Sequence, residues 1–122
     1  MILRGGRNAP NYGAEAVDGA LAKLRNAGLP ERIVIDASHD NSKKDHEQQP
    51  ASAADVAAQV AAGNAAIVGV MLESFLVAGR QDHEDGAPLR YGQSITDACM
   101  AWDTTSEVLE QLAAAVRARR VG

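Results

Sequence analysis

Four residues able to do chemistry stand just beyond, or shortly after, the points where apolar runs of this sequence end. Arg4 follows Ile2-Leu3, His39 follows Ile33-Val34-Ile35 and its flanking Asp36, and Glu73 closes the run 65–72. Asp97 comes later, in the Gly-containing stretch 74–101. An imidazole with two carboxylates is a mixed nitrogen and oxygen donor set, suited to one divalent metal such as Mn, Fe, Co or Zn. Glu73 is the most telling of the set, because a carboxylate set directly behind a buried strand must be paired or coordinated. Arg4 runs into Gly5-Gly6, which lets a phosphate or carboxylate approach the backbone closely while the guanidinium binds it. Each residue also has a plainer reading. His39 reads equally as a loop histidine, Asp97 as a turn or cap residue, and Arg4 as a solvated charge. Lys43-Lys44 reads as a solvated loop pair, His46 and His83 as exposed, and Cys99 as a packed thiol.

What would position these groups is a strand–helix unit repeated three times. The first has Ile2-Leu3, then Pro10-Asn11-Tyr12-Gly13 and a helix over 14–27 with Val17, Leu21 and Leu24 on one side. Gly28 ends that helix and Pro30 keeps it from resuming. The second has the β-branched run 32–36, suited to a strand buried on both faces, a polar loop 38–49, and a helix over 52–62 carrying Val56 and Val60. The third has the strand 65–72, the long loop 74–101 and a helix from Thr104, where Thr104-x-x-Glu107 reads as a capping box. Val108, Leu109, Leu112 and Val116 form its apolar stripe, and Arg117, Arg119 and Arg120 its basic end. Alternating apolar strands and helices predict an α/β fold with a parallel sheet and right-handed crossovers. A doubly wound sheet and an arc of a (β/α)8 barrel both fit that pattern. A full barrel takes about 250 residues and three of its units about 90 to 100, close to the present length plus one long loop. Three strands alone would leave two unpaired edges, so the chain reads as one partial domain over 1–122, cut from a longer one.

Composition narrows the function classes. The 122 residues are 46% hydrophobic and 23% charged, but only 3% aromatic, so the core must be built from Ala, Val, Leu and Ile. A net charge of −4 argues against a general nucleic-acid or anionic-membrane binder. One cysteine allows neither an intrachain disulfide nor a cysteine zinc cluster, which points to a cytoplasmic setting. No apolar run approaches the ~20 residues of a membrane span, and the start shows no secretory pattern.

Read as ordered strings, the motifs become far more specific. Leu3-Arg4-Gly5-Gly6, Pro10-Asn11-Tyr12, Ile35-Asp36-Ala37-Ser38-His39-Asp40-Asn41-Ser42 and Gly69-Val70-Met71-Leu72-Glu73-Ser74 appear in turn. Tyr91-Gly92-Gln93-Ser94-Ile95-Thr96-Asp97-Ala98-Cys99 and Val116-Arg117-Ala118-Arg119-Arg120 follow. Together they resemble the class I 3-deoxy-D-arabino-heptulosonate 7-phosphate (DAHP) synthases over essentially the whole chain; the plant-type class II enzymes do not share these strings. The resemblance implies barrel strands six, seven and eight of an incomplete (β/α)8 barrel, in a family that forms homo-oligomers. It implies a shikimate-pathway transferase that joins phosphoenolpyruvate to erythrose 4-phosphate at a divalent metal. By that resemblance His39, Glu73 and Asp97 are metal ligands and Arg4 and His39 are catalytic and bind phosphoenolpyruvate, with Asp97 also at the substrate. The family's fourth ligand is a cysteine after the first barrel strand, absent here, and Cys99 matches a different one. Phe75, Asp40 and Gly13 depart from the family pattern, and Asp40 adds negative charge beside a site for two phosphorylated anions.

With the other ligand and most of the basic groups missing, the 122-residue chain alone is expected to be inactive and prone to self-association. Two other classes fit the same residues: a non-catalytic interaction fragment that binds an intact synthase, or an anion-binding α/β module. A monodisperse complex with the remaining portion would mark the first; cooperative unfolding indifferent to chelator would mark the second.

Overall fold

Alternation decides which side chains of a strand meet the helices, and here it selects Leu3, Ile33, Ile35 and Ile67. The computed structural model describes every residue from Met1 to Gly122. Three strands, β1 (Ile2–Leu3), β2 (Ile33–Asp36) and β3 (Ile67–Met71), form one parallel sheet in the order β1-β2-β3. Leu3 lies opposite Ile35, which lies opposite Val70; an irregularity at Ile33/Val34 shifts the β2–β3 register. The three helices are α1 (Ala14–Asn26), α2 (Gln49–Ala61) and α3 (Trp102–Val121). Val17, Leu21 and Leu24 of α1 and Val56 and Val60 of α2 close over the strand residues, with Ala115 of α3 completing the cluster. Each fully buried Val, Leu or Ile side chain contributes about 1.5–3 kcal/mol. A smaller cluster of Ala37, Ala53, Met100 and Val108 continues this core beneath the strand ends.

The α/β architecture with a parallel sheet is as expected, and several local features differ. The sheet is covered on one face only: Ile2 and Val68, on the other, are 59% and 58% exposed, and Met71 is exposed too. The run 32–36 is therefore not buried on both faces within this chain, because all three helices lie on one side. Helix α2 begins at Gln49, three residues early, since Pro50 sits in its first turn, where a missing N–H removes no hydrogen bond. Helix α3 begins at Trp102, so Thr104 lies inside the first turn and the expected capping box does not form; the Ala101 cap makes no side-chain bond. Leu109 faces solvent, and Ala115 takes its place in the buried stripe.

The turn after β1 tolerates only glycine at position 5. Gly5 has a φ of 107°, and an added Cβ would lie 2.5 Å from Asp40 C and 2.6 Å from Asn41 N, and against Asp40 Cβ as well. Two of those three atoms are backbone, so no side-chain rotation relieves the clash. Gly5→Ala is expected to destabilise the chain by roughly 3 kcal/mol, read as a fall in the urea midpoint at unchanged slope. A midpoint shift equivalent to less than about 1 kcal/mol would show that the turn has room to move.

Candidate metal centre

Parallel strands bring their C-terminal ends to one rim, and chemistry collects there. At the end of β2 the chain enters a tight 3-10 turn, His39–Asn41, with His39 at a φ of 51°. A non-glycine residue in that region costs on the order of 1–3 kcal/mol and persists only when its surroundings fix it. Here the His39 carbonyl accepts from the N–H groups of Ser42 at 3.2 Å and Lys44 at 2.7 Å. Asn41, buried beside it, donates through Nδ2 to the carbonyls of Asp36 (2.7 Å) and Leu3 (3.2 Å), and its Oδ1 accepts from Asn11 N–H (2.7 Å). Asn11 Oδ1 in turn accepts from Gly5 N–H at 2.8 Å. These four bonds tie the ends of β1 and β2 together.

Glu73, two residues past β3, is held through its backbone. Its N–H donates to Gln49 Oε1 at 3.0 Å and its carbonyl accepts from Gln49 Nε2 at 3.2 Å, so one buried amide pairs both groups as a neighbouring strand would. The Glu73 carbonyl also accepts from Met100 N–H at 2.9 Å. That bond begins a set of cross-links that fold the long loop back on itself. Phe75 N–H donates to the Met100 carbonyl, Gly79 and Cys99 exchange both backbone bonds, and Ser74 Oγ lies 2.6 Å from Thr105 Oγ1. The folding-back carries Asp97 over the ends of β2 and β3.

Three of the four sequence-predicted residues therefore converge. His39 Nε2 lies 3.6 Å from Glu73 Oε1 and 3.4 Å from Asp97 Oδ2, and all three donor atoms fall within 4.8 Å of one another. Two donors each about 2.1 Å from a tetrahedral ion are about 3.4 Å apart, so the two imidazole–carboxylate separations fit a shared metal. The space among them is about 10 Å³, close to what one water-sized body needs. Two carboxylates turned toward one point also favour a cation between them. Arg4 is not part of this group: it stands at the end of β1, exposed, with its carbonyl accepting from Asn41 N–H and its side chain unpaired.

Sequence reasoning missed two neighbours. Asp36 was only a strand terminus, yet it is 2% exposed and its Oδ2 lies 2.7 Å from His39 Nδ1. Gln49 was only the end of a polar loop. Lys44 is exposed, as expected, at the margin of the same cleft as Ser38 and Ser42. Cys99 is a packed thiol, as expected, with Sγ 3.4 Å from the Asp97 carbonyl. Burial pushes its pKa up, the Glu73 and Asp97 charges push the same way, and a contact with Ser94 opposes them. It stays a neutral thiol at pH 7 and is a poor ligand in that form.

The model of the DAHP synthetase I family matches residues 1–110. The chain is 52% identical over 120 residues to the Phe-sensitive phospho-2-dehydro-3-deoxyheptonate aldolase of Escherichia coli, covering 98% of this chain and 34% of that protein. It is 49% identical over 128 residues to the tyrosine-inhibited enzyme of that name from Schizosaccharomyces pombe, covering 98% and 33%. Among solved structures, a phospho-2-dehydro-3-deoxyheptonate aldolase from Francisella tularensis superposes with a TM-score of 0.91 at 48% identity, over 97% of this chain and 34% of that one. The chain thus spans about a third of the length of the relatives it matches.

Proposed function

The chain belongs to the DAHP synthetase I family, and from that premise we propose that it forms one side of a DAHP synthase centre, built on strands six to eight of a (β/α)8 barrel. The reaction is the condensation of phosphoenolpyruvate with erythrose 4-phosphate to give 3-deoxy-D-arabino-heptulosonate 7-phosphate and phosphate. The convergence of His39, Glu73 and Asp97 at the C-terminal ends of parallel strands is the observation that carries this reading. The exposed apolar sheet face of Ile2, Val68 and Met71 supports the barrel, whose interior is lined by such side chains.

In this reading His39, Glu73 and Asp97 hold one divalent ion. When bound, that ion supplies Lewis-acid polarisation of the aldehyde carbonyl of erythrose 4-phosphate. Carbon 3 of phosphoenolpyruvate attacks that carbonyl, water adds at carbon 2, and phosphate departs. Arg4 neutralises the phosphoenolpyruvate anion from the rim of β1, where its free guanidinium is available for a bidentate contact. His39 and Asp97 would also face the substrates in this reading.

One guanidinium cannot hold two phosphorylated substrates against their repulsion, and the family's cysteine ligand has no counterpart here. The 122-residue chain alone is therefore inactive in this account. Supplying it with the remaining two thirds of the Escherichia coli relative should produce turnover that a chelator abolishes, where neither part turns over alone. Product formation by the 122-residue chain by itself would refute the incomplete-site reading. Binding without any turnover in the reconstituted pair would favour an interaction fragment.

A further inference from the structure

The His39 ring has two nitrogens, and only one of them faces Glu73 and Asp97. The other, Nδ1, points back into the protein at Asp36 Oδ2, 2.7 Å away, with Ser38 Oγ at 2.9 Å. Asp36 is among the most enclosed side chains of the molecule, and its second oxygen, Oδ1, accepts from both the N–H and the hydroxyl of Ser38. Both Ser38 donors are thereby committed to Asp36, so the Ser38 oxygen is left as an acceptor toward His39. Two acceptors then face Nδ1, which must carry the ring proton.

We infer that Asp36 is a positioning residue that fixes the tautomer of His39, leaving the Nε2 lone pair free and aimed at Glu73 and Asp97. The inference rests on the proposed metal centre for its purpose, but its geometry does not need the metal. An imidazole can ligate only through an unprotonated nitrogen, and partners that hold the other N–H raise its basicity and restrict its rotation. The left-handed backbone at His39 and the short Asp36-to-His39 span make this contact local: a carboxylate at the end of β2 reaches the ring three residues on.

Asp36→Asn separates this role from simple packing. Ser38 presents two donors at Oδ1, so the amide oxygen must stay there and the new NH2 must turn toward Nδ1. Nδ1 then has to accept, the ring proton moves to Nε2, and the metal-facing lone pair is lost. Nitrogen-15 NMR of the unmodified chain without metal, recorded at a pH high enough for the imidazole to be neutral, should show His39 with a protonated Nδ1 and a pyridine-type Nε2. The Asp36→Asn variant should show the opposite pattern. If it keeps the wild-type circular dichroism, its affinity for Co2+ should fall roughly 10–100-fold.

A neutral wild-type ring protonated at Nε2 rather than Nδ1 would overturn the inference, whether or not the variant folds. So would a folded variant with unchanged tautomer and unchanged Co2+ affinity. If the wild-type tautomer is as stated but the chain binds no Co2+, the metal-centre reading fails and the Asp36 assignment stands.

Discussion

His39→Asn will lower the affinity of the chain for Co2+ by about 100-fold or more, beyond the roughly 10–100-fold typical when only a ligand's outer hydrogen-bond partner is lost. Asn is the informative replacement because position 39 has a φ of 51°, and Asn adopts that left-handed conformation more readily than Ala. The turn should therefore survive while the imidazole is removed. What remains is Glu73 and Asp97, a pair of oxygen donors that suits hard cations and binds later transition metals weakly. The selectivity should shift accordingly: Mg2+ binding, governed by the carboxylates, should change far less than Co2+ binding. A variant that loses both metals equally would indicate that the turn had collapsed. One that loses neither would remove His39 from the site.

Asn41→Ala should have the largest effect on stability. One buried side chain donates to the carbonyls of Leu3 and Asp36 and accepts from the N–H of Asn11, so truncation removes three hydrogen bonds at once. Each unsatisfied buried group costs about 1–3 kcal/mol, and water entering the gap recovers part of it. The expected loss is about 3–5 kcal/mol, a large share of the roughly 5–15 kcal/mol available to a domain. It should appear as a fall of roughly 10–20 °C in Tm. Because the same bonds join β1 to β2, backbone exchange at Gly5 and Asn11 should accelerate before global unfolding. A loss below about 1 kcal/mol would mean that the two strand ends are held by packing rather than by this amide.

Much of the fold was legible in local pattern. The β-branched run Ile33-Val34-Ile35 and the 3-4 spacing of Val17, Leu21 and Leu24 encode burial directly, and all but Val34, which is half-buried on the open face, are buried as read. The helix starts were less legible. Pro50 does stand in the first turn of α2, which begins one residue before it, whereas α3 begins two residues before the expected Thr104. At α3 the side chain that matters is Thr105, whose hydroxyl lies against Ser74 across the long loop.

The candidate site divides in the same way. His39 and Glu73 stood out because each follows an apolar strand, a position where side chains reach a common rim. Asp97 had no such signal: its place depends on a loop folded back by the Ser74–Met100 and Gly79–Cys99 bridges, which no periodicity announces. Asp36 and Gln49 were hidden for a related reason. Gln49 serves a residue 24 positions away, and Asp36 was masked by its own strand, where an acidic end residue ordinarily means nothing more than solvent. Polar pairing of this kind, local or long-range, leaves no trace in composition, although it decides where the ligands point.

The central claim is that one divalent ion is shared by three residues from three separate segments of this chain. A spectroscopic Co2+ titration of the unmodified 122-residue chain tests it most directly. The account calls for one equivalent bound per chain, with ligand-field bands from a nitrogen and oxygen donor set, weakened by His39→Asn, Glu73→Gln and Asp97→Asn alike. Absence of a bound equivalent, or a spectrum that none of the three substitutions alters, would contradict it.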